Sequence, residues 1–204
     1  KSSAFGAVEF EIGLALTYGL MSSSLIGYSL TIARDREAGV FQRLRVTPAP
    51  TWAIMSSRIL VQIVLDVIMA VIVLIVAGII HGQVFTPVEY LLVLCVSIVG
   101  GAMFLAIAQA IVGLVRSAAI VNALGRILYV IFLLLGLLGS SGVLGTTVKN
   151  ISAWTPGGAI INIYGGVLSL PNWTVLDTSG LIALIIYIAV GGFIGIRWFR
   201  WDAR

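Results

Sequence analysis

Charge is the first thing this sequence lacks. Only 10% of its 204 residues are charged and 60% are hydrophobic, where an average soluble domain is about 25% charged. So few ionic side chains cannot build a water-facing surface, which excludes a soluble fold. Cysteine is reduced to Cys95, inside an apolar run; that excludes a disulfide framework and a thiolate metal site and leaves a small packing residue. Histidine is reduced to His81, near Gly82 and Pro87. No second histidine, cysteine or carboxylate stands at ligand spacing, so a turn residue is expected there and no metal site. No G-x-x-x-x-G-K-[ST] run occurs, so the chain has no phosphate cradle of that type. A basic stretch leading into a short cleavable apolar core is also missing, so no signal peptide is read. The chain opens on Lys1 rather than Met, and its N-terminus is read as cut.

What is present is apolar length. Five windows of about 20 residues, enough to cross hydrocarbon, run over Ile12–Ala33, Ile59–Ile80, Tyr90–Val115, Ile127–Val148 and Thr178–Ile196. The expected fold is therefore all-α: one polytopic helical bundle over residues 1–204 with five transmembrane helices. The net charge is +4, but the basic residues lie between apolar runs rather than in one dense patch. They read as topology signals and not as a nucleic-acid surface.

A sixth uncharged stretch, Ile151–Leu176, carries Pro156, Pro171 and the pairs Gly157–Gly158 and Gly165–Gly166. Backbone inside lipid must satisfy its own hydrogen bonds. The stretch is accordingly read as an interfacial or re-entrant helix around Ala159–Leu168 and a turn at Pro171, with Trp154 and Trp173 in an aromatic belt. Five crossings then gather Arg34, Arg36, Arg43, Arg45, Arg58, Arg116, Arg126, Arg197, Arg200 and Arg204 on one side, and leave Lys1 and Lys149 on the other. By the positive-inside rule the arginine side and the C-terminus are cytosolic and the N-terminus is outside.

The segment Arg34-Asp35-Arg36-Glu37-Ala38-Gly39-Val40-Phe41-Gln42-Arg43-Leu44-Arg45-Val46-Thr47-Pro48 differs from the rest. Val40, Phe41 and Leu44 recur at helical spacing among charges, and Thr47-Pro48-Ala49-Pro50 stops the helix. A short amphipathic helix on the membrane surface is expected. It either anchors the loop among headgroups or docks in the groove of a cytosolic partner.

This loop resembles the cytosolic signature of the ABC-2 type permeases, the membrane subunits of bacterial ABC exporters for drugs, lipids and polysaccharides. The matching residues are Arg34, Asp35, Arg36, Glu37, Gly39, Leu44, Thr47 and Pro48; the departures are Asp35 where Glu is usual and Val40-Phe41 where Thr-Leu is common. The resemblance implies six spans in the full family, a coupling helix after the second and an extracytosolic helical hairpin before the sixth, so that the first span would be missing here. It further implies that Glu37–Arg45 couples to an ATPase, with Val40, Phe41, Arg45 and Pro48 among the coupling residues. ATP and Mg would sit on that separate partner, with no cofactor in this chain. Permeases would pair as homodimer or heterodimer in the plasma membrane, among lipid.

Within the bilayer the expected polar residues are Gln62, Asp66 and Gln109. Asp66 lies eight positions after Arg58, about 12 Å along a helix at ~1.5 Å per residue, and an ionisable group there must face protein or water. Gln62 is one turn earlier on the same face; Gln109 and Arg126 are expected partners from other helices. A structural clamp and a place in a substrate or proton path are both open. Glu9 and Glu11 are expected to be solvated at the outer interface. Small-residue spacings at Gly78 to Gly82, Gly136 with Gly139 and Gly191 to Gly195 suit close helix packing, and Gly136–Gly145 suits a kinked outer half of the fourth window.

The function expected is that of an exporter's permease. An ion-coupled secondary transporter would show several intramembrane carboxylates and repeated halves, and an intramembrane enzyme a nucleophile with its base; a non-transporting assembly subunit is the remaining alternative.

Overall fold

The computed structural model describes residues 7–45, 51–82 and 84–198. They form α1 (Ala7–Leu20), a π-helical segment (Met21–Tyr28), α2 (Ser29–Glu37), α3 (Val40–Arg45), α4 (Thr51–His81), α5 (Pro87–Leu114), α6 (Ala118–Ser140), α7 (Thr146–Ser152), α8 (Pro156–Leu168), a 3₁₀ turn (Leu170–Asn172) and α9 (Val175–Trp198). No strand occurs among the described residues. Five helical stretches are long and apolar enough to cross a membrane: Val8–Glu37, Ser56–His81, Pro87–Leu114, Ala118–Ser140 and Val175–Gly195. The all-α polytopic bundle is therefore what the chain forms.

Three boundaries differ from the sequence windows. The first crossing runs on through the charged Arg34–Glu37 and includes Glu9 and Glu11, because charges at a helix end can reach past the hydrocarbon. The fourth begins at Ala118 and ends at Ser140 rather than spanning Ile127–Val148. Arg126, expected in a loop, lies on the exposed side of α6 and donates from Nε to Asn122 Oδ1 at 3.1 Å. The glycines beyond Ser140 do not kink the helix; they end it, since Gly142 and Gly145 have φ of 72° and 89°, a region that favours glycine. The third difference is α3, which is shorter than the expected Glu37–Arg45 helix because the chain breaks at Ala38-Gly39, where Gly39 has φ 69°.

Helix starts follow local chemistry. Thr86 and Glu89 cap α5 reciprocally, Thr86 N donating to Glu89 Oε2 at 2.7 Å and Glu89 N to Thr86 Oγ1 at 3.3 Å, with Pro87 in the first turn. Thr155 caps α8 by accepting from Gly158 N at 3.2 Å, and Thr174 N donates to Asp177 Oδ2 at 2.6 Å at the start of α9.

The core is built around α8. All thirteen of its residues are buried, among α1, α5, α6 and α9, so it is no interfacial helix. At ~1.5 Å per residue it is about 20 Å long, too short to cross hydrocarbon about 30 Å thick. Its glycines permit the approach: a Cβ on Gly157 would collide with the Phe132 carbonyl oxygen of α6, and one on Gly158 with Ser152. Gly191 and Gly195 likewise bring α9 onto Ala106 and Gln109 of α5. Trp154 and Trp173 are exposed. Cys95, expected to pack inside, is exposed on α5.

Candidate functional site

Two polar constellations stand out in this apolar bundle. One lies at the arginine-rich end, where Asp35, Arg36 and Glu37 end the first crossing. Consecutive residues on a helix point about 100° apart, and these three reach three different elements. Asp35 Oδ2 accepts from Arg58 Nη1 of α4 at 2.5 Å. Arg36, 2% exposed, donates to the carbonyls of Val112 at 2.8 Å, Val115 at 2.6 Å and Arg116 at 2.8 Å. These are the carbonyls at the end of α5, where the helix dipole is negative and intrahelical donors run out. Glu37 Oε1 accepts from Ala118 N at 2.6 Å, at the positive N-terminus of α6. The α5–α6 corner is thus held by one cation and one anion of matching sense.

These three residues work inside the domain, a role their resemblance to a coupling motif does not disclose. Arg34 is exposed. Gly39 turns the chain, and α3 then folds back so that Phe41 is fully buried, with the Arg58 guanidinium 5.2 Å from its ring centroid. Phe41, expected to face a partner, therefore packs inward, while Val40 is half-buried and Gln42 and Arg43 are exposed. Leu44 and Arg45 belong to α3, but their side chains, like Thr47 and Pro48, lie outside the described residues.

The second constellation surrounds Asp66, fully buried on α4. Ser23 Oγ donates to Oδ1 at 2.9 Å, Ser24 Oγ lies 2.6 Å from Oδ2, and Gln62 Nε2 donates to Oδ1 at 3.2 Å while also contacting Ser23 Oγ. Both serines are on the π-helical segment. Its wider turn splays adjacent residues less than an α-helix does, so neighbouring hydroxyls can serve one carboxyl; π turns often mark functional positions. On the other side Gly101 of α5 leaves room, since a Cβ there would run into Asp66 Oδ2.

Gln62 is thus a partner of Asp66 as expected, whereas Gln109 and Arg126 are not. Gln109 Oε1 accepts from Tyr28 OH at 3.1 Å, and Arg126 is on the outside of α6. The run Ser22-Ser23-Ser24 in an apolar helix was the available signal for the missing partners. At the opposite end, His81 closes α4 rather than standing in a turn, with Nε2 3.6 Å from Glu11 Oε2.

The described residues thus form an all-helical, multi-pass membrane bundle. The family model for ABC-2 type transporter matches residues 2–146, and the chain belongs to that family. No curated protein and no solved structure matches the chain.

Proposed function

We propose that this chain is the permease subunit of an ATP-binding-cassette exporter. It would move a drug-like, lipid or glycan substrate by alternating access, as one half of a permease dimer in the plasma membrane, with ATP and Mg held by a separate cytosolic ATPase. In this reading the arginine-rich end faces the cytosol and α3 is the surface on which the ATPase presses.

The observation that carries the reading is the reach of Asp35, Arg36 and Glu37 into α4, α5 and α6, immediately before the α3 segment. A force on α3 would pass through Gly39 to one rigid helix end that grips three crossings at once. One ion pair and several hydrogen bonds between charged side chains and backbone would carry displacement, because such bonds are short and geometrically specific. The exposed side of α3 offers Gln42 and Arg43 to a partner.

The test is co-purification with the ATPase subunit. Replacing Gln42 and Arg43 together by Glu is expected to abolish the complex while the permease remains monodisperse in detergent. Retention of the ATPase by that double variant would overturn the assignment of α3.

A further inference from the structure

Asp66 lies ten residues after Ser56 and fifteen before His81, the limits of its crossing, or roughly 15 and 22 Å from them at ~1.5 Å per residue. The carboxyl is enclosed completely by this chain, so no second copy and no ATPase can touch it directly. Its three hydrogen-bonding partners, Ser23, Ser24 and Gln62, are all neutral. The elements packed along α4 are α1, the π segment and α5, and α2 and α3 meet it at Arg58 through Asp35 and Phe41. On α1, the π segment and α5 the titratable groups are Glu9, Glu11 and Tyr18, then Tyr28, then Glu89, Tyr90 and Cys95, with Tyr164 of α8 also in electrostatic reach, and none brings a positive charge; α2 and α3 carry arginines, but they meet α4 at Arg58, and Arg36 is engaged by the carbonyls at the end of α5. On α4 itself the cations are Arg58, about 12 Å away along the axis and paired with Asp35, and His81 at the far end. An ionised carboxylate here would be a buried charge without compensation, which proteins avoid.

The neutral acid, by contrast, fits every contact. Oδ2 can donate its proton to Ser24 Oγ across 2.6 Å, a normal O–H···O length, since a hydroxyl both donates and accepts. Oδ1 accepts from Ser23 and Gln62. Gln62 in turn faces a cavity of about 250 Å³ that Tyr28, Thr31, Ser57 and Arg58 also line. It is an open groove, lined also by Ile32 and Val61, and it lies toward the arginine-rich end.

We propose that Asp66 is an exchangeable proton-binding site: the closed bundle holds it as the neutral acid against Ser24, and it trades that proton with water in the cavity beyond Gln62. On uptake, a hydronium ion in the cavity gives its proton to a carboxylate oxygen, forming the O–H bond and leaving water behind; release is the reverse. Gln62 is the partition between the water and the acid, and Gly101 leaves the space in which the carboxyl sits.

Infrared spectroscopy of the purified protein in lipid tests this. The wild-type spectrum minus that of Asp66→Asn is expected to contain the carbonyl stretch of a protonated carboxyl at neutral pH. That band should shift down in heavy water, and Gln62→Leu should slow the shift. A difference spectrum with only ionised carboxylate bands, or an acid band indifferent to heavy water, would overturn the proposal. Melting temperature separates a proton from a metal ion: wild type and Asp66→Asn should respond equally to NaCl and KCl, and a stabilisation by NaCl that only wild type shows would mean that sodium is the occupant. Should Asp66→Asn fail to fold, the band is read in wild type carrying ¹³C-aspartate and assigned by the change that Ser24→Ala imposes; absence of a label-shifted acid band is then the refuting result.

Discussion

Gly39 and Arg36 show how much of this molecule rests on single positions. At φ 69°, Gly39 occupies backbone that costs an L side chain roughly 1–2 kcal/mol. Gly39→Ala is therefore expected to lower stability by about that amount and to straighten the approach to α3, readable as reduced melting temperature together with weaker retention of the ATPase. Arg36 serves three carbonyls from a planar fork, and a lysine ammonium cannot span them. With about 1.5–3 kcal/mol for each hydrogen bond to a charged group, Arg36→Lys is expected to destabilise the α5–α6 corner more than Arg34→Lys, whose parent side chain is exposed. Thermal unfolding in detergent compares the two. From sequence, the loop's importance was legible because charges are scarce here, but the direction in which each charge points was not: helical spacing places Arg36 and Phe41 on faces without saying which faces the rest of the fold will cover.

Among the elements, α8 and the π segment are the informative ones. A Cβ on Gly157 would meet the Phe132 carbonyl oxygen, whereas one on Gly192 would meet nothing within 4 Å. Gly157→Val is thus expected to prevent recovery of folded protein and Gly192→Ala to leave it unchanged, measured as the monodisperse fraction after purification. The glycine and proline pattern of Ile151–Leu176 disclosed that the stretch does not cross continuously. It could not disclose that the helix is central, because lipid-facing and buried residues are equally apolar. For the same reason the fourth window slid by about two turns: Arg126 looked like a boundary, and only the packing of α6 shows that an exposed arginine can sit on the helix flank. The π turn had no sequence signature beyond three adjacent serines, two of which meet Asp66 about forty residues away.

At the scale of the whole molecule, the number of crossings and their apolar character followed from composition, while the orientation depends on counting arginines. It can be checked directly. In a Cys95→Ser background, a cysteine placed at Gln42 is expected to react with a membrane-impermeant maleimide only after the cells are opened, and one placed at Trp154 in intact cells; the reverse pattern would invert the topology. The enclosure of α8 also bears on how the protein is made. Its thirteen residues leave the ribosome before α9 does, yet α9 is one of the walls around them. The walls around α8 therefore cannot be complete until α9 has been made, and their closing is the capture of a half-length helix by a later-arriving neighbour. Chains that stop short of α9 would hold that helix unsheltered, which makes them natural targets for membrane quality-control proteolysis.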